Sequence, residues 1–318
     1  MMNQSANIEN RLWFLEEIHS RDLPLTQDLY RLYPGMKFGL LEHIDFFSAR
    51  LTVKLLKILN DRDASIKNNW QNWIITAPAF YHLPAAANLL AKNIQYRLQQ
   101  LGCDIRLIFP KLSQESNLVG DNRAFVMSND YSKHSRELRY AHRLQNYQIH
   151  DEINLQAQFH QQHVIVINDI YVTGVQQMIM QQLFHRWQIA SCNWLYIFKV
   201  EEHLAQQYPE IEHQLNTSQY RDLASYAALF NQKELHFTRR CIAHLLEKDL
   251  NDFNYVITQL HPEILEKIQN NISKEWPEYR ALFAEKLAAM NALKHDINRG
   301  SCSDNNNDKD CAKKISTV

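Results

Sequence analysis

No run of about 18 apolar residues occurs in the 318-residue chain, so no segment reads as membrane-spanning. An excess of one charge is also missing: 34 Lys and Arg stand against 35 Asp and Glu, a net charge of −1. Without a strong field the chain has no general attraction for nucleic acid or an acidic membrane surface, and any basic patch must be local. The five cysteines, Cys103, Cys192, Cys241, Cys302 and Cys311, are scattered and include no CxxC pair. That pattern suits free thiols in a reducing compartment rather than a disulfide framework. Fifteen histidines invite a metal site, yet His160 and His163 have no Cys or acidic partner at ligand spacing and read as solvated or packed. The first residues, MMNQSANIENRLWF, lack a basic stretch followed by an apolar one. No signal peptide is expected, and the expected compartment is the cytoplasm. No fixed repeat is visible, which argues against a solenoid.

What is present is an ordinary globular composition, 45% apolar and 22% charged, with enough length for a sizeable core. Ile8, Leu12 and Leu15 predict a short helix over residues 8–20, followed by a proline- and tyrosine-bearing stretch that ends at Pro34-Gly35. From Leu40 to Leu59 apolar residues recur at intervals of three and four, which predicts an amphipathic helix. The period then changes. Trp73–Thr76 reads as a strand ending at Ala77-Pro78-Ala79; Pro84 opens and Gly102 closes a helix; Asp104–Phe109 reads as a second strand, with a third at Ala124–Met127. Val164–Ile167 is a β-branched run of the kind buried on both faces of a sheet. A helix follows Thr173-Gly174, and Asn193–Val200 is a further strand. Strand alternating with helix predicts a parallel α/β sheet with right-handed crossovers. Beyond Thr217 the pattern is helical, with amphipathic stretches at 241–260 and 276–296, and the polar tail from Gly300 to Val318 is expected to be disordered. The expected divisions are an N-terminal helical segment (1–62), an α/β core (63–216), a C-terminal helical extension (217–299) and the tail (300–318).

The stretch with chemistry in it is Val164-Ile-Val-Ile-Asn-Asp-Ile-Tyr-Val-Thr-Gly-Val-Gln-Gln177. Four buried residues deliver Asn168 and Asp169 to the carboxyl end of a strand, where ligands bind in open α/β sheets. The loop with Thr173 and Gly174 then opens into a helix, whose first N–H groups attract anions, and glycine lets the backbone come close. This arrangement suits a phosphate in the loop and a sugar diol on Asn168 and Asp169. The plainer reading is an ordinary βα turn, in which Thr173 caps the helix and Gly174 only makes the bend.

The same stretch resembles the PRPP-binding motif of type I phosphoribosyltransferases: four apolar residues, two acidic, two apolar, then a hydroxyl residue, Thr-Gly, one variable residue and a closing hydroxyl. The match holds at the apolar strand, Asp169, Ile170, Thr173 and Gly174. It departs at Asn168, where an acid is expected, and at Val172 and Gln176, where hydroxyls are expected. Segments TAPAFYHLPAAANLLA and RELRYAHRLQNYQI are most similar to the competence-factor (ComF-like) branch, which includes members associated with bacterial tellurite-type stress gene clusters. YPGMKFGLLEHIDFFSARL resembles it less specifically, and the likeness spans roughly residues 35–200.

The resemblance implies a type I phosphoribosyltransferase-like sheet flanked by helices, and transfer of a phosphoribosyl group from PRPP to a nitrogen acceptor, or the reverse pyrophosphorolysis. It implies Asp169 and Asn168 at the ribose and Val172, Thr173, Gly174, Val175, Gln176 and Gln177 around the 5-phosphate. Ala77, Pro78, Ala79 and Arg136 fall to the pyrophosphate, with Arg139 and Arg143, beside Lys133, in a catalytic loop. A solvated helical face is the competing reading of those arginines, since Arg139 and Arg143 are four apart. Mg²⁺ is the implied cofactor, carried by PRPP rather than by protein ligands. The expected partners are a phosphorylated ribose and, as a candidate, a second copy of the chain; no nucleic acid and no membrane are expected. Lys199 is a candidate for base contact, and Trp73, Trp187 and Trp194 are expected in the core. The missing charge at Asn168 and the missing hydroxyls keep two further readings open: a PRPP or nucleotide sensor without turnover, and a scaffold built on the C-terminal helices.

Overall fold

The computed structural model describes residues 9–60, 70–113, 140, 147–277 and 281–294. Residues 8–20 are the first departure from expectation: β1 (Glu9–Ile18) is a strand, not a helix. Spacing among Ile8, Leu12 and Leu15 imitates a helical stripe, but Leu12–Leu15 is a continuous apolar run. Its side chains split between two cores, Trp13 and Leu15 on one side of the sheet and Leu12 and Phe14 on the other. Only an extended chain feeds both faces by alternation.

After β1 come α1 (Asp28–Phe38) and α2 (Leu41–Asn60), so the stretch around Pro34-Gly35 is helical and ends at Gly39. Next are β2 (Trp73–Thr76), α3 (Ala86–Gln100), β3 (Arg106–Leu107), β4 (Lys111–Leu112), β5 (Ile149–His150) and α4 (Glu152–Phe159). The centre of the sheet follows with β6 (His163–Ile167), β7 (Ile170–Tyr171), α5 (Val175–Arg186) and β8 (Ser191–Val200). The helices α6 (Glu202–Gln207), α7 (Ile211–Asn216), α8 (Leu223–Phe230), α9 (Arg239–Glu247), α10 (Leu250–Thr258) and α11 (Pro262–Glu275) complete the labelled elements, with one more helical stretch over 284–294.

Among the described residues six strands form one sheet in the order β1-β8-β6-β2-β3, with β7 also on β8, and each pairing in it is parallel. The fold is α/β, as the alternation of periods predicts. The expected strand over Asp104–Phe109 is shorter than its apolar run, because only Ile74 and Ile75 of β2 find partners there. One core cluster gathers residues of α1, α2 and α3; the other gathers residues of α4 and α5, so the helices cover the two faces separately. Trp73, Trp187 and Trp194 are buried. From β2 the chain leaves through α3 toward β3, whereas from β6 it leaves through α5 toward β8. The strand order therefore reverses between β2 and β6, which opens a crevice at their carboxyl ends.

The chain divides into two compact units: Met1–Tyr220 with Glu234–Cys241, and Arg221–Lys233 with Ile242–Val318. The first holds the sheet. Its segment Glu234–Cys241 is tied to the end of α1: His236 N–H donates to Gly39 O at 2.9 Å, and Leu41 N–H to Glu234 O at 3.1 Å. The second is helical, with Tyr226, Phe230, Phe253, Leu265 and Ile268 buried. The stretch expected as one helix over 241–260 is two, because Asp249 starts α10 by accepting the Asp252 N–H at 2.8 Å. The helical pattern expected from 276 begins instead at 284 among the described residues, after α11 starts on Pro262. The strand expected at 124–127, the basic stretch with Lys133, Arg136, Arg139 and Arg143, and the tail 300–318 lie outside the described residues.

Candidate functional site

Strand β6 is buried from Val164 to Ile167 and hands the chain to Asn168 and Asp169, also buried. Their side chains part. Asn168 turns to α5, its Nδ2 donating to Gln176 Oε1 at 3.4 Å while its Oδ1 accepts the Asp169 N–H at 2.9 Å. Asp169 forms an ion pair with Lys37 of α1, and its Oδ1 accepts the Ile170 N–H at 2.9 Å. Lys37 Nζ also donates to Glu212 Oε1 of α7 at 3.5 Å. All three charged groups are buried, so one ammonium is set between two carboxylates. Tyr33, one turn before Lys37, is fully buried beside this pair. Burial first, and the Asp169 and Glu212 carboxylates second, raise its phenol well above the ordinary tyrosine range.

The loop that follows is held by β8. Ile170 and Tyr171 pair with Phe198 and Lys199, and Val172 is buried. Gly174, not Thr173, is the N-cap of α5, in the left-handed region at φ 70° with no side-chain cap. Helix geometry leaves the N–H groups of Val175, Gln176 and Gln177 without intrahelical acceptors, at the positive end of the helix dipole. Tyr171 leans over this point: a Cβ on Gly174 would lie 2.6 Å from its hydroxyl. The Tyr171 ring packs edge-on against Tyr196, with centroids 5.6 Å apart. Gln177 faces the protein, its Oε1 accepting from the Tyr196 hydroxyl at 3.4 Å.

Across the crevice, β2 ends level with β6, Thr76 registering with Val166. Ala77 and Pro78 are buried and Ala79 half-buried. Asn88 ties this loop down, its Nδ2 donating to Pro78 O at 3.0 Å and its Oδ1 accepting the Ala85 N–H at 2.8 Å. Ala79 N–H donates to the Tyr147 hydroxyl at 3.4 Å. Beyond it, Tyr81 together with Ser113, Gln148, His150 and Asp151 lines an open cavity of about 630 Å³.

The structure thus brings together 168–177 and 77–79 at one sheet edge. Lys199, the candidate for base contact, has its Nζ donating to Glu17 Oε1 of β1 at 2.6 Å. His163 stacks on Trp73 and is 2.8 Å from Ser191 Oγ, a packed histidine, and among the described residues no three metal-ligating side chains converge. Sequence reasoning missed Lys37, Glu212, Tyr171 and Asn88. Asn88 was findable, three residues after Ala85 at a helix start behind Pro84. Lys37 was not, since 132 residues separate it from Asp169.

In comparisons with known proteins, the family model described as PRTase ComF-like matches residues 67–275. The match begins later and ends later than the likeness at 35–200 read from the motifs, and takes in α8 to α11. No curated protein and no solved structure matches.

Proposed function

This chain belongs to the ComF-like phosphoribosyltransferase family, and on that premise we propose that it binds PRPP and transfers the phosphoribosyl group to a nitrogen acceptor, or runs the reverse pyrophosphorolysis. The observation that carries the reading is the pairing of two loops at the strand-order reversal, one of them ending in the uncapped N-terminus of α5. In this reading the 5-phosphate lies on the N–H groups from Val172 to Gln177. Asn168 meets the ribose hydroxyls through its amide, and Asp169 supports it from behind with a negative field. The pyrophosphate falls to Ala77–Ala79, and Arg136, Arg139 and Arg143 are its proposed source of positive charge. The C1–O bond to pyrophosphate breaks as the C1–N bond forms, and the acceptor nitrogen gives up its proton. A cationic sugar in transit needs positioning and fixed charge rather than a protein nucleophile. Mg²⁺ would be carried by the pyrophosphate of the substrate and would neutralise part of its charge, with Ala77–Ala79 and Arg136 as the residues proposed to hold that group.

A sensor without turnover is the second reading. Two observations favour it: Asn168, a neutral amide, stands where the motif has an acid, and the Asp169 carboxylate is already engaged by Lys37. Pyrophosphate release from PRPP and Mg²⁺ across a panel of nucleobases and amines separates the two, alongside melting-temperature shifts with PRPP and nucleoside monophosphates. Release with any acceptor establishes the enzyme; a shift without release establishes the sensor. Absence of both removes the phosphoribosyl reading. The proposed assembly is a homodimer, which light scattering checks by molar mass.

A further inference from the structure

The ion pair behind the loop begins outside the segment that matches the family. Lys37 precedes residue 67, where that match starts, yet its ammonium reaches the one acidic residue that the motif retains. Its aim is fixed from several directions. Thr238 Oγ1 donates to Lys37 O at 2.9 Å, and Gly39 closes α1 by donating to Gly35 O and Met36 O at 3.0 Å each. Glu212 holds Nζ from the far side. Asp169 is equally constrained, its carbonyl accepting from Ile197 N–H at 3.0 Å and Phe198 N–H at 3.1 Å.

We propose that Lys37, backed by Glu212, is a positioning residue: it clamps the Asp169 carboxylate toward α1 and so holds the β6-to-α5 loop with Asn168 turned to Gln176, as the ligand requires. This rests on the reading of the loop as a ribose-phosphate site. A carboxylate that swings into the crevice gives up its ion pair with the buried ammonium and leaves Lys37 only the longer contact to Glu212 Oε1 at 3.5 Å, a cost that keeps it in place. The backbone of Asp169 is shared with the loop, so the clamp sets where Ile170 to Gly174 run. Ligand affinity then depends on a residue that touches no ligand atom.

Replacing Lys37 alone leaves two buried carboxylates and threatens folding. The deciding variant is therefore the neutral triple Lys37→Met, Asp169→Asn, Glu212→Gln. Two quantities are measured: ribose 5-phosphate affinity by calorimetry, and amide exchange at Asn168–Gly174 relative to Cys192–Trp194 of β8, which pair with Val164–Val166 rather than with the loop, in the same sample, which corrects for any change in overall stability. The expected result is loop exchange at least tenfold faster relative to β8, with ribose 5-phosphate bound at least tenfold more weakly. Unchanged relative exchange overturns the clamp, whatever the affinity. Faster exchange with wild-type affinity overturns its role for the ligand. A wild-type protein that binds neither ribose 5-phosphate nor PRPP overturns the ribose-phosphate reading itself, and with it the positioning role.

Discussion

At Asn168 the family pattern and this chain part company, and the proposed enzyme and sensor readings differ most at this side chain. A charge-assisted hydrogen bond is about twice as strong as a neutral one. Asn168→Asp is therefore expected to raise pyrophosphate release from PRPP by roughly tenfold, the equivalent of about 1.4 kcal/mol. Silence in both proteins, with ribose 5-phosphate still bound, would favour the sensor. Tyr171 bears on the other departures, at Val172 and Gln176, where the motif's hydroxyls are gone. Its own hydroxyl stands over Gly174, beside the proposed phosphate site. A hydrogen bond to a charged group contributes about 1.5–3 kcal/mol, so Tyr171→Phe should weaken ribose 5-phosphate by roughly tenfold or more while the ring keeps its packing on Tyr196. Equal affinity in calorimetry would strip the hydroxyl of that role. The motif residues were legible because they are contiguous. Which way each one faces was not, because that is decided by Gln176 for Asn168 and by distant Lys37 for Asp169.

Elements were readable where period and burial agreed. β2, β6 and β8 are apolar runs shielded on both sides, and α2 shows an unbroken stripe. β1 failed because four consecutive apolar residues satisfy a helical count as well as an extended one, and only the partner β8 decides between them. The corner between α1 and α2 is a second case that local sequence hides. His43 packs so tightly on Gly35 that a Cβ there would lie 2.2 Å from its Nδ1, and this nitrogen is 2.9 Å from Leu32 O. Burial is the main cause that lowers the His43 pKa below its ordinary 6.5, and His236 moves the same way through burial and then Lys92. The unfolded chain therefore takes up protons near pH 6.5 that the native chain refuses. Stability should fall as pH drops below 6.5, level off once the native imidazoles protonate, and gain nothing from these groups at higher pH. Urea unfolding at pH 7.5 and 5.5 checks the sign, and His43→Gln should reduce the difference between the two. At the end of the same helix, Gly39 has φ 103°, and a Cβ would lie 1.9 Å from His236 O. Gly39→Ala should cost roughly 2 kcal/mol or more of unfolding free energy, because backbone on both sides must shift. A thermal midpoint within a degree of wild type would show that the contact yields.

For the molecule as a whole, the strand-order reversal follows from two crossovers that diverge, and it was readable only as alternation, not as order. The return of Glu234–Cys241 to the sheet unit rests on backbone bonds to Gly39 and Leu41, which no side-chain pattern announces. The division into units has a thermodynamic consequence that uses the proposed ligand as a probe. A ligand that binds only the folded form stabilises it by about 2.7 kcal/mol at 100 times its Kd. Amides that exchange only when the sheet unit opens should then slow by roughly 100-fold, among them those of Val164–Ile167 and Leu195–Ile197. The ligand contacts assigned above all lie in the sheet unit, so amides of α10 and α11, in the second unit, should keep their rates if that unit opens by itself. Hydrogen exchange with and without saturating ribose 5-phosphate reads both sets in one experiment. Slowing confined to the loop residues 168–177 would mean that the strands exchange through local openings that the ligand does not oppose. Equal slowing in α10 and α11 would mean that the two units open as one cooperative block, since stabilisation at the loop can reach those helices only through shared unfolding.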